Sequence, residues 1–247
     1  MLIEVEDSYG RKRSVLDLQI PLDNDQGIII NNSKTGRLRF EYDHVFDKHE
    51  DQEEVFNLVA RDKITGIMEG ISCTIFAYGQ TGSGKTYTIF GGNSFSSRGL
   101  IPRTLTFLFQ RINATIAADD SFSFTCQISF TEIYKESVFD LLDNNRPTQN
   151  RQEWTPVQMM EGENGLILRN LNVFKVNSEE EALQLFFMGN KNRLTSATVM
   201  NTMSSRSHAV FTILIGNEGL RSDRTVLSAA KMNLVDLAGS ERMYKVL

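Results

Sequence analysis

Cysteine is scarce in this chain: its 247 residues include only Cys73 and Cys126, whose spacing does not indicate a disulfide framework. Both are interpreted as core or surface residues of a protein from a reducing compartment, and not as ligands. Long apolar runs are missing too, since none approaches the ~20 residues needed to cross a bilayer. Residues 1–7 are too acidic and too poor in apolar side chains to predict a signal peptide. We therefore expect a cytoplasmic location and no membrane association.

An excess of basic residues is also missing. The chain has 26 Lys and Arg against 31 Asp and Glu, a net charge of −5. Nucleic-acid-binding domains are normally basic, so no nucleic-acid partner is predicted. No internal repeat, low-complexity block or Pro/Gly-rich linker divides the sequence. Residues 1–247 are therefore predicted to form a single domain.

Apolar periodicity predicts helices and strands that alternate along the chain. Helices are expected over 51–70, from Pro102 onward, and after a capping box formed by Ser178 and Glu181. Strands are expected over 74–78, 122–130, 210–215 and 232–235, with a hairpin turn at Asn164-Gly165. The interleaved order indicates an α/β layered fold in which helices cover a sheet.

A complete phosphate-binding motif follows the first of these strands. Residues 79–86 satisfy the pattern G-x-x-x-x-G-K-[ST] and read Gly79, Gln80, Thr81, Gly82, Ser83, Gly84, Lys85 and Thr86. Glycines let backbone N–H groups converge on phosphate oxygens, and the helix start that follows adds a positive dipole end. Lys85 supplies a charge for the outer phosphates and Thr86 a hydroxyl for Mg²⁺. The motif predicts a bound nucleoside triphosphate.

Two later segments separate the classes of protein that share this motif. One is the serine-rich loop, residues 201–208, and the other is the acidic loop, residues 236–241. Asp236 ends a buried strand and Gly239 follows three residues later, an arrangement that brings a carboxylate near Mg²⁺ and an N–H near the γ-phosphate. Taken singly, either segment also fits an ordinary loop. A GTPase shares Asp-x-x-Gly, but its Asn-Lys-x-Asp motif is approached only at 190–193, which ends in Arg193, so this class is rejected.

Together these segments resemble the kinesin motor domain, and segments 40–46, 99–103 and 130–134 are also similar to it. Myosin shares Ser-Ser-Arg in its switch, but Ser207-His208 follows here and the chain is far too short. The resemblance implies an α/β P-loop NTPase motor core with a central mixed, mostly parallel sheet flanked by helices on both faces. It also implies ATP or ADP with Mg²⁺ as cofactors, microtubules as partner and a microtubule-stimulated ATPase activity.

The resemblance further implies roles for individual residues. Thr86 and Ser205 would bind Mg²⁺ directly, and Asp236 would hold a coordinated water. The remaining assignments are the γ-phosphate contacts Asn201, Ser204 and Gly239, an ion pair between Arg206 and Glu241, and Glu241 as proton acceptor from the attacking water. Lys85 would stabilise charge on the transferred phosphoryl group. Tyr87 either stacks on the adenine or packs against the protein.

The resemblance is partial. The chain begins after the strand that borders the adenine and stops before the relay helix and the main microtubule-binding elements, so an incomplete motor core is expected. Residues 179–186 and 192–193 are similar to the ninth kinesin branch, which is associated with cilia and flagella and implies an axonemal assembly. The alternative is a kinesin-like structural subunit that binds nucleotide or tubulin without hydrolytic cycling.

Overall fold

The structure, a computed structural model, describes residues 4–6, 12–14, 16–19, 27–32, 36–47, 49–119, 122–144, 153–162, 165–198, 206–221 and 224–241. By their internal contacts the residues form two compact units, Met1–Val55 and Phe56–Leu247. A single domain over 1–247 therefore stays a prediction. Within the described residues, no helix combines the length and the apolar character needed to span a bilayer.

The first unit is built from short antiparallel strands. Strand β1 (Glu4–Glu6) pairs with β2 (Lys12–Ser14), while β3 (Leu16–Gln19), β4 (Gly27–Asn32) and β5 (Gly36–Glu41) form a three-stranded meander. Helix α1 (Gln52–Val59) begins at a reciprocal cap. Asp51 Oδ1 accepts the N–H of Glu53 at 2.8 Å, and Glu54 Oε2 accepts the N–H of Asp51 at 2.7 Å. The acidic helix start predicted at residue 51 is confirmed.

The second unit contains a six-stranded sheet in which β11 (Phe174–Val176), β7 (Ser123–Tyr134), β12 (His208–Arg221), β13 (Arg224–Asp236) and β6 (Cys73–Ala77) lie side by side. Strand β8 (Ser137–Asp140) pairs with β7, and β9 (Gln158–Gly162) forms a separate hairpin with β10 (Gly165–Arg169). The hairpin predicted around residue 164 is confirmed by this pairing, although Asn164 lies outside the described residues.

The sheet is mixed, as expected, but the prediction that most of its pairs are parallel is wrong. Among the described strands only β13 and β6 run parallel, and the other pairs of this sheet are antiparallel. The physical reason is connectivity, because β12 returns directly as β13 and β7 returns directly as β8. Such hairpin connections make antiparallel pairs, whereas a parallel pair needs a longer crossover.

Helices α2 (Arg61–Met68), α3 (Lys85–Ile89), α4 (Leu100–Ala118) and α5 (Glu179–Thr198) complete the second unit. The single helix predicted over 51–70 is two consecutive helices, α1 and α2, which meet at Ala60; its φ of −112° is stretched although its backbone stays in the right-handed region. The cap predicted at Ser178 is confirmed, since its Oγ accepts the Glu181 N–H at 3.2 Å.

The apolar core lies between one face of the sheet and the layer of helices. Helix α4 contacts α2 on one side and α5 on the other. Phe130 and Phe211 from the sheet meet edge to face at 5.3 Å, and Phe186 of α5 lies 6.0 Å from Phe211. These contacts place the three helices in one layer over the sheet.

The other face of the sheet carries a polar ladder. The Asn233 side chain bonds Thr212 and Thr74, each at 3.0 Å, and Phe76 on this face is 61% exposed. Helices were expected on both faces, and in the part of the second unit that the structure describes they cover one. The uncovered face is not uniformly polar, since Phe76, Leu214 and Ile133 also lie on it by strand alternation and register.

Candidate nucleotide-binding site

The phosphate-binding motif forms a tight loop between β6 and α3. Gly82 and Gly84 have φ values of 81° and 95°, a left-handed conformation that favours glycine. Lys85 opens α3 and is 9% exposed, and its Nζ donates a hydrogen bond to the Gln80 carbonyl at 2.8 Å. The strand, loop and helix start predicted around this motif are confirmed.

A cavity of about 290 Å³ opens at this loop. Its volume is at the lower end of the ~300–1,000 Å³ typical of small-molecule sites. The residues that line it are Thr81, Gly82, Gly84, Lys85, Thr86, Tyr87 and Leu237. Tyr87 is half exposed beside this cavity, a position that leaves both adenine stacking and packing open. The cavity thus joins the phosphate loop to the first residue after Asp236.

The parallel pair of β6 and β13 brings Asp236 to the phosphate loop. Ala77 and Asp236 are register partners at the carboxyl ends of the two strands. Asp236 is 1% exposed; its Oδ2 accepts a hydrogen bond from Thr86 Oγ1 at 2.7 Å and forms an ion pair with Arg193 Nη2 at 2.8 Å. A carboxylate and a hydroxyl therefore meet where the sequence predicts Mg²⁺.

The residues at this point fit a magnesium ion. Asp236 Oδ1 is buried and makes no hydrogen bond within the described residues, so an oxygen acceptor is left for a further ligand. Mg²⁺ prefers such hard oxygen donors and is usually held by one or two protein groups together with phosphates and water. No cluster of three or more His, Cys, Asp or Glu side chains occurs in the described part of the chain. Thr86 and Asp236 would hold the ion together with the phosphates.

The acidic loop is also bonded directly to the phosphate loop. The Ser240 N–H donates to the Gly79 carbonyl at 3.0 Å, and the Thr81 N–H donates to Glu241 Oε2 at 2.9 Å. The Thr81 hydroxyl donates to the other oxygen of the same carboxylate. These Thr81 bonds hold the pKa of the Glu241 carboxyl below its usual range, with a smaller contribution from the charge of Lys85. Glu241 is therefore ionised at neutral pH.

Glu241 was predicted to form an ion pair with Arg206, but in this structure its carboxylate is hydrogen-bonded to Thr81. Arg206 is exposed, and no ion pair joins it to Glu241 in this structure, in which both side chains are described. That pair was expected only when both loops close on the phosphate, so it stays a prediction. Asn201, Ser204 and Ser205 lie outside the described residues, and their roles also stay predictions.

Four further residues connect to the site and received no individual role from the sequence. Arg193 on α5 binds Asp236, and its Nε lies 3.9 Å from Glu132 Oε1. Ser207 donates to the same Glu132 oxygen at 2.5 Å, and His208 Nδ1 accepts the Ala238 N–H at 3.0 Å. One signal was present: Glu132 extends the alternation of Ile128 and Phe130, so a charge occupies a position of the buried strand face.

The comparisons with known proteins agree with this geometry. A family model described as the kinesin motor domain matches residues 4–246. The chain is 39% identical over 236 residues to kinesin-like protein KIF15-A of Xenopus laevis, covering 90% of the chain and 16% of that protein. It is 36% identical over 239 residues to mouse kinesin-like protein KIF9, covering 96% and 29%. With KLP1 of Chlamydomonas reinhardtii the identity is 38% over 234 residues, covering 93% and 28%.

A solved structure leads to the same family. The protein described as a fast kinesin, studied for its ATPase mechanism and its interactions with microtubules, superposes with a TM-score of 0.81 at 30% identity. The match covers 94% of this chain and 62% of that one. The chain thus spans less than a third of the length of these three curated relatives and less than two thirds of this structure. Since the family model matches nearly the whole sequence and the nucleotide loops meet as described, the chain belongs to the kinesin motor-domain family.

Proposed function

We propose that this chain forms the nucleotide-hydrolysing part of a kinesin motor, which binds ATP with Mg²⁺, converts it to ADP and moves along microtubules. The observation that carries this proposal is the 2.7 Å hydrogen bond between Thr86 and Asp236. It joins the phosphate loop to the acidic loop, and these segments are the two whose relative position must respond to the γ-phosphate in a P-loop motor.

The phosphate loop binds and orients the triphosphate. Its left-handed glycines expose backbone N–H groups, and Lys85 can exchange the Gln80 carbonyl for phosphate oxygens without moving its backbone. Thr86 and Asp236 supply oxygens for Mg²⁺, with Ser205 as a further ligand by resemblance. Bound Mg²⁺ would neutralise charge on the transferred phosphoryl group. The γ-phosphate would be contacted by Asn201, Ser204 and the Gly239 N–H, and these contacts would be lost when phosphate is released.

The Glu241 carboxylate has the charge state that a proton acceptor needs. Its hydrogen bonds from Thr81 keep it ionised, but they also hold it away from Arg206. In the proposed cycle Glu241 leaves Thr81, pairs with Arg206 and accepts a proton from the attacking water, directly or through a second water. The ion pair would form only when both loops close, which links hydrolysis to a conformational change.

Phosphate release from the full-length protein, with and without microtubules, tests the proposal. We expect turnover stimulated by microtubules, and a fall to background in Lys85→Ala and Glu241→Ala, because each removes a charge at the reacting phosphate. Lys175→Ala and Glu180→Ala are matched controls, since both side chains are exposed on elements that do not line the cavity. Wild-type turnover in both site variants would refute the assignment. Tight nucleotide binding without turnover would favour the structural subunit instead.

The partner and the location follow from the same proposal. Microtubules are the partner, and the cytoplasm and cytoskeleton are the location. The similarity of residues 179–186 to the ninth kinesin branch supports the cilium or flagellum and a place in an axonemal assembly. Fluorescence microscopy of the tagged full-length protein in ciliated cells checks this, and exclusion from the axoneme would contradict the ciliary assignment.

A further inference from the structure

The last two residues of the serine-rich loop are both held by side-chain hydrogen bonds. Ser207 is fully buried, and its hydroxyl donates to Glu132 on β7 at 2.5 Å. His208 is the first residue of β12, and its Nδ1 accepts the backbone N–H of Ala238 at 3.0 Å. The first bond fixes the end of the loop to the sheet. The second crosses from this loop to the acidic loop.

The bond to Ala238 defines the state of the imidazole. A ring nitrogen accepts a hydrogen bond only when it carries no proton, so this bond uses Nδ1 of His208 as the acceptor. The imidazole is half-buried and rigid, and it has only two rotatable side-chain bonds. The Nδ1 atom therefore provides one acceptor aimed at one backbone N–H.

Ala238 immediately precedes Gly239, whose N–H is the proposed contact to the γ-phosphate. A Cβ at Gly239 would meet the Glu241 carboxylate, the movable end of a side chain, and as a glycine this residue has no side chain of its own to restrain its backbone. The described restraints lie on either side of it. His208 holds Ala238, and the Gly79 carbonyl holds the Ser240 N–H at 3.0 Å. The direction of the Gly239 N–H thus depends on two anchors, and one of them is the imidazole.

We propose that His208 is a positioning residue that couples the two loops. Its bond to Ala238 holds the peptide immediately before the one that carries the Gly239 N–H, and it makes this stretch of backbone follow the start of β12. This inference rests on the proposed function, because the orientation of the Gly239 N–H affects activity only if a γ-phosphate binds there. It assigns His208 no contact with nucleotide or metal.

Two substitutions distinguish the effect of the acceptor atom from the effect of the volume of the ring. His208→Asn keeps an acceptor oxygen in the place of Nδ1, whereas His208→Leu keeps similar volume without any acceptor. The first measurement is amide hydrogen exchange over residues 237–241 in the full-length protein without nucleotide. We expect exchange at Ala238 to be about threefold to tenfold faster in His208→Leu, which corresponds to the loss of one hydrogen bond. His208→Asn should retain the protection of the wild type.

The second measurement is steady-state ATP hydrolysis. We expect kcat to fall about tenfold or more in His208→Leu, because a misdirected N–H stabilises the phosphate less, with KM for ATP changed less than about twofold. His208→Asn should recover most of kcat. Where His208→Leu fails to fold, His208→Gln replaces it, since its amide oxygen lies one bond further out and misses Ala238.

The outcomes distinguish the two proposals. Unchanged exchange at Ala238 in His208→Leu and His208→Gln overturns the coupling, as does a raised KM with unchanged kcat. A wild-type protein without turnover contradicts the proposed function, and the exchange measurement then decides the His208 link by itself. Faster exchange in His208→Leu that is restored in His208→Asn supports the link whatever the turnover.

Discussion

At the scale of single residues, the site depends on three charges that are almost completely removed from solvent. Glu132, Arg193 and Asp236 are 1%, 2% and 1% exposed. The Arg193 guanidinium binds Asp236 at 2.8 Å and lies over the Phe90 ring at 4.9 Å. A buried ion pair adds little net stability to the fold, but removing one partner leaves the remaining charges buried without a counter-charge. Arg193 is therefore the residue on which two buried carboxylates depend.

Replacing Arg193 by methionine should destabilise the fold by about 3–5 kcal/mol, because two buried carboxylates lose their cation. Urea unfolding of Arg193→Met and of the wild type measures the difference. The matched control is Arg61→Met, which also removes a guanidinium over a phenylalanine ring, at 5.1 Å from Phe107, but from an exposed position. We expect the control to lose no more than about 1 kcal/mol. Equal losses in the two variants would contradict the role of burial.

The sequence predicted the residues of the phosphate site better than it predicted their partners. Lys85, Thr86 and Asp236 lie in motifs whose chemistry requires those side chains, so their assembly could be expected. The bond between Thr81 and Glu241 joins residues 160 positions apart, and no local pattern specifies it. Its existence depends on the register of β13 beside β6, which is a property of the folded sheet.

At the scale of elements, two helical glycines should respond oppositely to the same substitution. A Cβ at Gly189 of α5 would collide with the Phe130 ring and lie 3.2 Å from Leu142 Cδ2. A Cβ at Gly66 of α2 would meet only Ile71 Cβ, at an ordinary 3.8 Å. Alanine favours a helix over glycine by about 1 kcal/mol. The packing at each site therefore decides whether alanine stabilises or destabilises the protein.

We expect Gly189→Ala to destabilise the protein by about 1–3 kcal/mol through overpacking, and Gly66→Ala to stabilise it by up to about 1 kcal/mol. Thermal unfolding followed by circular dichroism gives both differences. A stabilised Gly189→Ala variant would mean that α5 can shift away from β7 at little cost, and the close packing of these elements would then be wrong.

The elements themselves were largely predictable, and their errors have physical causes. The alternation over 122–130 predicted β7, but the strand continues to Tyr134 because Glu132 keeps its place on the buried face by binding Ser207. Polarity alone suggested an end to the strand before that point. Strands β12 and β13 are likewise longer than their apolar runs, since two paired strands can extend each other by backbone hydrogen bonds that need no apolar side chain.

At the scale of the whole molecule, the central sheet of the second unit has one face under helices and, in the described residues, one face without them. Cys126 lies on the covered face in the first half of β7, where β11 and β12 both pair with this strand. It is 3% exposed, and burial raises the pKa of its thiol to about 12. Cys73 on β6 is partly exposed, and burial raises the pKa of its thiol as well.

Alkylation of Cys126 should therefore report the opening of the whole sheet. Only a thiolate reacts, and at pH 8 the folded thiol is both protonated and covered, so labelling has to pass through unfolding. We expect Cys126 to react at least about 5 × 10³-fold more slowly than in the denatured chain, which corresponds to a free energy of unfolding of ~5 kcal/mol. The pKa of the Cys126 thiol is higher in the folded than in the unfolded chain. The stability that comes from keeping this thiol protonated is therefore complete below the unfolded pKa, and it declines as pH rises from the unfolded to the folded pKa.

Iodoacetamide labelling read by peptide mass spectrometry measures the rate, with Cys73 as the internal control that should react in the native state. Native-state labelling of Cys126 as fast as Cys73 would show that β7 opens locally, and the sheet would then not unfold as one cooperative layer.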